Sequence, residues 1–186
     1  MKKIVLVGLC LAILALTTLS AAQDKPRLSP AASASCKFAD GKTIKMDYSS
    51  PRIFDPKTHA VRKIFGSASE KALVPFGEVW RTGANEATTF VVDTDVTVGN
   101  LTVPKGSYTI FTIPKADAWT LILSKKTGEW GTEYAQGDDL GRTTMTANQT
   151  ANRTDNFTIS LDGAGKKCSL RMEWENTRAT VDINEK

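Results

Sequence analysis

The segment Trp80, Arg81, Thr82, Gly83, Ala84, Asn85, Glu86 packs an aromatic ring, a guanidinium, a hydroxyl, an amide and a carboxylate into seven positions. Polar clusters of this kind on an irregular stretch of a β scaffold are where binding residues concentrate. Arg81 has the fork geometry to hold a carboxylate or phosphate. Asn85 and Glu86 together can donate to and accept from hydroxyls, and Trp80 can stack on a sugar ring or another flat apolar face. Arg52, after Ser50 and Pro51, is a second cation for the same pocket. The competing reading pairs Arg81 with Glu86 or Glu78 as an internal clamp that pins a long loop to the scaffold, with Trp80 in the core. The residues alone leave clamp and ligand site equally open.

Catalytic groups are sparse. Glu173 and Glu175 flank Trp174, which on a strand sets their carboxylates about 7 Å apart. That spacing overlaps the range of inverting glycosidases, whose two carboxyl groups must admit a water. Alternating Glu on a strand is more often a solvated face. Asp138 and Asp139 lack the ordered spacing of a calcium loop and read as a hairpin loop. The single His, His59, sits in a polar segment without the partners a general base or zinc ligand needs. No GxSxG, HExxH, CxxC or glycine-rich phosphate loop occurs. No metal site and no cofactor is therefore expected. Asn100, Asn148, Asn152 and Asn156 head N-x-T sequons, read here as a by-product of Thr-rich strands and Asn-rich turns.

The elements that must position these residues show a period of two. Ile44, Met46 and Tyr48 alternate with Lys45 and Asp47; Phe157, Ile159 and Leu161 alternate with Thr158 and Ser160; Cys168, Leu170, Met172 and Trp174 alternate with Ser169, Arg171 and Glu173. Such alternation describes half-buried strands with one face in a core. Ala179, Val181 and Ile183 continue it, and Trp119, Leu121 and Leu123 repeat it with Ile122 as an exception. Turn residues punctuate these runs at Gly99 and Asn100, Pro104 to Gly106, Pro114 to Asp117, Gly128 to Gly131, Gly137 to Gly141 and Asp162 to Gly165. The expectation is an all-β fold, a single antiparallel β-sandwich (jelly-roll-like) of about eight to ten strands over 36–185. One short helix is expected, over Ser67 to Leu73 ahead of Pro75. The expected core holds Ile44, Met46, Phe90, Val92, Ile110, Leu121, Leu123, Phe157, Ile159, Leu161, Leu170, Met172 and Trp174.

The N-terminus has a basic start at Lys2 and Lys3, an apolar run from Ile4 to Leu16, then small residues through Ala22. This is the layout of a secretory signal peptide over 1–22, cleaved after Ala22 or Ala21. An uncleaved anchor is the alternative, since Ile4 to Ala22 carries no charge and about 20 residues span a bilayer. Residues 23–35, rich in Pro, Ser and Ala, read as a flexible linker. Removing Lys2 and Lys3 from the 24 basic residues leaves 22 against 20 acidic, or +2, too weak a charge to imply nucleic acid as a partner. Cys36 and Cys168 remain after cleavage, and an even pair in an exported chain points to a disulfide; two buried thiols are the alternative. Export to the periplasm or beyond, without stable membrane insertion, is the expected localisation.

The block LVPFGEVWRTGANEATTF from Leu73, with DVTVGNLTVPKGSYTIFTIP and AWTLILSK after it, SPR at Ser50 and RKIFG at Arg62 before it, and LRMEWENTRATVDI from Leu170, resembles the domain of unknown function 2911 family of exported bacterial proteins. The resemblance covers nearly all of the chain beyond Ser35. It implies a secreted or periplasmic β-rich domain and transfers no catalytic residue. The expected function is a non-catalytic envelope module that is structural or binds a small anionic or hydroxylated ligand through Arg52, Trp80, Arg81, Asn85 and Glu86. A carboxylate-based glycan hydrolase is the alternative.

Overall fold

The computed structural model describes residues 27–186. The expected signal peptide, its cleavage site and the first residues of the expected linker lie outside the described residues. Among the described residues eleven strands follow one another. They are β1 (Ala31–Lys37), β2 (Thr43–Ser49), β3 (Phe65–Gly66), β4 (Val74–Pro75), β5 (Thr88–Val92) and β6 (Val96–Val98), then β7 (Leu101–Val103), β8 (Gly106–Ile113), β9 (Ala118–Ser124), β10 (Asp139–Ala164) and β11 (Lys167–Glu185). Nine of them form one antiparallel sheet in the order β1-β2-β5-β8-β9-β10-β11-β6-β7. The remaining two, β3 and β4, make a two-residue parallel pair.

Alternation sets the register. In β2 and β5, Ile44 faces Val92 and Met46 faces Phe90; in β10 and β11, Ile159 faces Met172 and Leu161 faces Leu170. All eight are buried, so one face of each pair is core and a one-residue slip would turn that face to water. The long strand β10 pairs with β9 from Asp139 to Thr146 and with β11 from Thr146 to Ala164, the second pairing broken by irregularities between Gln149 and Thr158. Cys36 in β1 is bonded to Cys168 in β11, with Cα atoms 6.4 Å apart. The sheet therefore folds back, bringing its first strand against its seventh. The larger apolar cluster runs from Cys36 and Ile44 through Trp119, Phe157 and Trp174 to Ile183.

Three differences from the sequence expectation have local causes. β1 begins at Ala31, inside the stretch read as a flexible linker. Its alanines and serines show no hydrophobic contrast, yet Ala31 to Ser35 pair residue by residue with Ser49 to Lys45. The segment Ser67 to Leu73 holds only a 3-10 turn, Ala68–Glu70, because Lys71 adopts a left-handed conformation (φ 57°) and closes it. Among the described residues there is no α-helix. Ile122 breaks the alternation because β8 and β9 are buried on both faces: Ile122 packs with Phe111 and Ala87 on the outer side, under Ile113 and Tyr134.

Candidate functional site

Where the chain leaves the sheet, it does so in two places that meet. Trp80 still exchanges backbone hydrogen bonds with Thr112 (2.7 and 2.9 Å), and Glu86 bridges Trp130. Between them the backbone takes left-handed values at Thr82 (φ 53°) and Asn85 (φ 57°), and Gly83 sits at φ 155°. For a β-branched residue such as Thr82 this conformation is strained, by about 1–3 kcal/mol. Buried hydrogen bonds hold it: Thr88 Oγ1 donates to the Thr82 carbonyl (2.7 Å), and the Thr82 and Thr112 hydroxyls meet at 3.0 Å. Ala84 N–H donates to Ser49 O and Trp80 Nε1 to Gly83 O, both across 3.2 Å. The loop is thus fastened to the end of β2, and its unusual backbone is fixed in place.

The second segment, Ser50 to Arg62, runs along β10. Ile53 N–H donates to Asp155 O (2.7 Å), Ser50 Oγ to Phe157 O (2.7 Å), and Arg52 bridges Asn156. It then turns on itself at Asp55, whose carboxylate accepts the Lys57 and Thr58 N–H groups. Arg62 comes back beneath, one guanidinium nitrogen donating to the Arg52 carbonyl.

Between the two segments lies a cavity of about 1080 Å³. Arg52, Trp80, Arg81 and Asn85, four of the five residues singled out by sequence, line it; Glu86 does not. Glu86 stands beside it, holding Arg27 at 2.9 Å and approached by Ser49 Oγ at 3.5 Å. Arg27, Arg62, His59, Tyr134 and Trp174 also line the cavity, as do the apolar Leu28, Leu73 and Val79. Of these, type alone singles out His59, read in the sequence as a lone His without partners; the others carry no signal of type and spacing. Arg62 lies between runs without periodicity, and Trp174 read simply as core.

Trp80 joins the cavity to the core. Its ring stacks on Trp174 (5.9 Å, 18°) and meets Phe157 edge-on at 4.9 Å, while the half-exposed remainder forms cavity wall. Tyr134 is fixed by Arg142, which donates to its hydroxyl (2.6 Å), and by Asp139, which accepts from it. The stem of Arg81 lies against Gly131, where a Cβ would overlap Arg81 Cδ.

The electrostatics are lopsided. Four arginines and one acid, Asp55, line the cavity. Among the described residues no carboxylate lies within 4.0 Å of Arg52, Arg62 or Arg81, so the expected alternative pairing of Arg81 with Glu86 or Glu78 is not formed. Backbone N–H groups of Thr58 and Lys57 hold the Asp55 carboxyl below its ordinary range. Glu86 is likewise lowered, by its own backbone N–H and by Arg27. Both acids thus stay ionised, the opposite of what a general acid at neutral pH requires. Glu173 and Glu175 lie outside the cavity, and Glu173 is held by Arg178 at 2.7 Å and Arg171 at 3.2 Å. Among the described residues, no three His, Cys, Asp or Glu side chains are grouped to hold a metal ion.

A family model described as protein of unknown function, DUF2911, matches residues 29–183. The chain belongs to the DUF2911 family. The matched span includes every residue lining the cavity except Arg27 and Leu28. No curated protein matches the chain, and no solved structure matches it.

Proposed function

We propose that this DUF2911 protein is an exported, non-catalytic module that binds a small anionic ligand in the cavity between Arg52 and Asn85. One observation carries this reading: three guanidiniums, those of Arg52, Arg62 and Arg81, share the cavity with a single acid, Asp55, and among the described residues no carboxylate lies within 4.0 Å of any of them. Arginine forks match carboxylate and phosphate oxygens two at a time. Gathering three of them around a single acid, Asp55, leaves a self-repulsion that a bound anion relieves. The left-handed backbone at Thr82 and Asn85 supports the same reading, because strain of this kind collects at ligand sites. Asn85 and Trp80 suit a ligand that also carries hydroxyls or a flat face, as a sugar acid, a cell-wall fragment or a peptide terminus does.

Export is supported by the Cys36–Cys168 disulfide, which persists in oxidising compartments, and by the basic and apolar N-terminal sequence. For the fold we propose the finer description of a jelly-roll-like sandwich, the two halves of the curled sheet stacked as layers. The larger apolar cluster, which takes in residues of both disulfide-joined strands, supports it.

The test is a thermal-shift screen of the purified protein against organic acids, phosphates, sugar acids and muropeptides, repeated on Arg81→Ala. A ligand at about 100 times its Kd stabilises by about 2.7 kcal/mol, a shift of several degrees. The reading expects a stabilising anion whose effect vanishes in Arg81→Ala while that variant melts near the parent. It fails if no compound stabilises and Arg81→Ala is simply unstable.

A further inference from the structure

The same cavity carries a second signature that an anion alone does not account for. Among the described residues six large apolar side chains are exposed: Leu28 (71%), Val61, Leu73 (45%), Phe76, Val79 (40%) and Trp130. Three of them, Leu28, Leu73 and Val79, line the cavity, and Val61 and Trp130 are the chain neighbours of Arg62 and Gly131, which line it too. Scattered surface leucines need no explanation. Apolar side chains collected around one arginine-bearing cavity do, because contiguous exposed apolar surface marks ligand grooves. The walls add Phe54, Pro51, Trp80 and the fully buried Trp174.

We propose that the ligand is an amphipathic organic anion: a carboxylate or phosphate head on an apolar body of several carbons, the head held by Arg81 with Arg62 or Arg52 and the body laid against Leu28, Leu73, Val79 and Trp80. This rests on reading the cavity as an anion site. Its additional content is that the apolar body supplies much of the affinity. A volume of about 1080 Å³ exceeds what acetate or inorganic phosphate fills, and a ligand with an apolar body also covers the apolar lining. The guanidiniums reject a neutral amphiphile, since binding one would trap them, desolvated, without an acceptor.

The test is calorimetric titration of the purified protein with hexanoate, decanoate, decyl phosphate, decanol, acetate and inorganic phosphate, each below its micelle concentration. Each methylene taken out of water contributes about fourfold in affinity, so decanoate is expected to bind more than tenfold tighter than hexanoate. Decanol is expected at least tenfold weaker than decanoate, and Arg81→Gln should weaken decanoate while leaving decanol unchanged. Comparing decanoate with decyl phosphate identifies the preferred head. Binding should also change the intrinsic fluorescence of the parent more than that of Trp80→Phe, which localises the body in this cavity. If acetate or phosphate bound as tightly as their decyl counterparts, the amphiphile inference would fall and the anion site would stand. If decanol matched decanoate, or if nothing bound, both would fall.

Discussion

The β10–β11 hairpin and the cavity lie side by side and are built on opposite rules. In the hairpin buried residues face one another, Ile159 against Met172 and Leu161 against Leu170, and between them Thr158, Ser160, Arg171 and Glu173 point outward. Around the cavity, left-handed residues replace extended ones, three of four guanidiniums have no carboxylate within 4.0 Å among the described residues, and apolar side chains face solvent. Trp174 belongs to both: it stands in the hairpin's inward row and forms cavity wall. What the contrast teaches is that the regular sheet supplies stability in excess, and that the excess holds one end of the molecule in an arrangement it would not adopt by itself. Substitutions in the two regions should therefore separate, the hairpin variants losing stability and the cavity variants losing binding.

The largest effect is expected at the disulfide. Across a sequence separation of 132 residues the bond acts mainly by restricting the unfolded chain, so the Cys36→Ser, Cys168→Ser double variant should lose up to about 5 kcal/mol. Denaturant unfolding measures this directly. A loss below about 1 kcal/mol would show that the bond merely decorates strands already held together. Next comes Phe157→Ala, which empties a fully buried site between Tyr48, Trp80 and Trp174 and should cost about 3–5 kcal/mol. Because Trp80 leans on Phe157, this variant should also weaken ligand binding, which would mark the seam between the two regions.

Gly83→Ala is expected to be intermediate. A Cβ there would stand 2.9 Å from Ser49 O and 3.2 Å from Thr88 Oγ1, at a φ of 155° that side chains avoid. Backbone rather than a flexible side chain must give way, so a cost of about 1–3 kcal/mol is expected together with loss of the loop's geometry. Arg81→Ala should remove less than about 1 kcal/mol, since its guanidinium has no ion-pair partner among the described residues, yet it should abolish binding. If Arg81→Ala proved more damaging to stability than Gly83→Ala, the loop would be a clamp and the contrast between the regions would collapse.

How much of this was legible in the sequence follows the same division. The strands were legible because their period of two is written in the side chains themselves; Ile44, Met46, Phe90, Leu161 and Trp174 are all buried as the alternation requires. What joins the strands was legible at one point only: the even pair Cys36 and Cys168 pointed to the bond between β1 and β11, while the curl of the nine-stranded sheet that brings them together is encoded by no local run. β1 itself was missed because alternating Ala and Ser gives almost no hydrophobic contrast. The polar block from Trp80 was legible as an interruption in the pattern. Its partners were not: Arg62, Leu73 and Val79 reach the cavity through the β3–β4 pair and its two-residue strands, too short to leave a period.

The smallest expected effect tests the wall those strands form. Between β3 and β4, Glu70 accepts from the Ser67 N–H (2.7 Å), the Ser67 hydroxyl (2.9 Å) and the Lys63 ammonium. These donors, Lys63 first, bring its carboxyl from an ordinary 4.5 to about 2. A carboxyl lowered in the folded state favours that state above its unfolded value and loses the effect as pH falls through its folded one. The turn should therefore hold above about pH 4.5 and loosen as pH approaches about 2. Because the carboxylate is exposed, the change should be confined to the turn, read as amide shifts of Ser67 and Glu70 titrating near pH 2, with global stability barely moved. A midpoint near 4.5 would mean that Lys63 and Ser67 do not hold the carboxylate in solution. The stretch carrying Leu73 would then be more loosely anchored than the Trp80 loop, and the cavity would have one rigid wall and one yielding one.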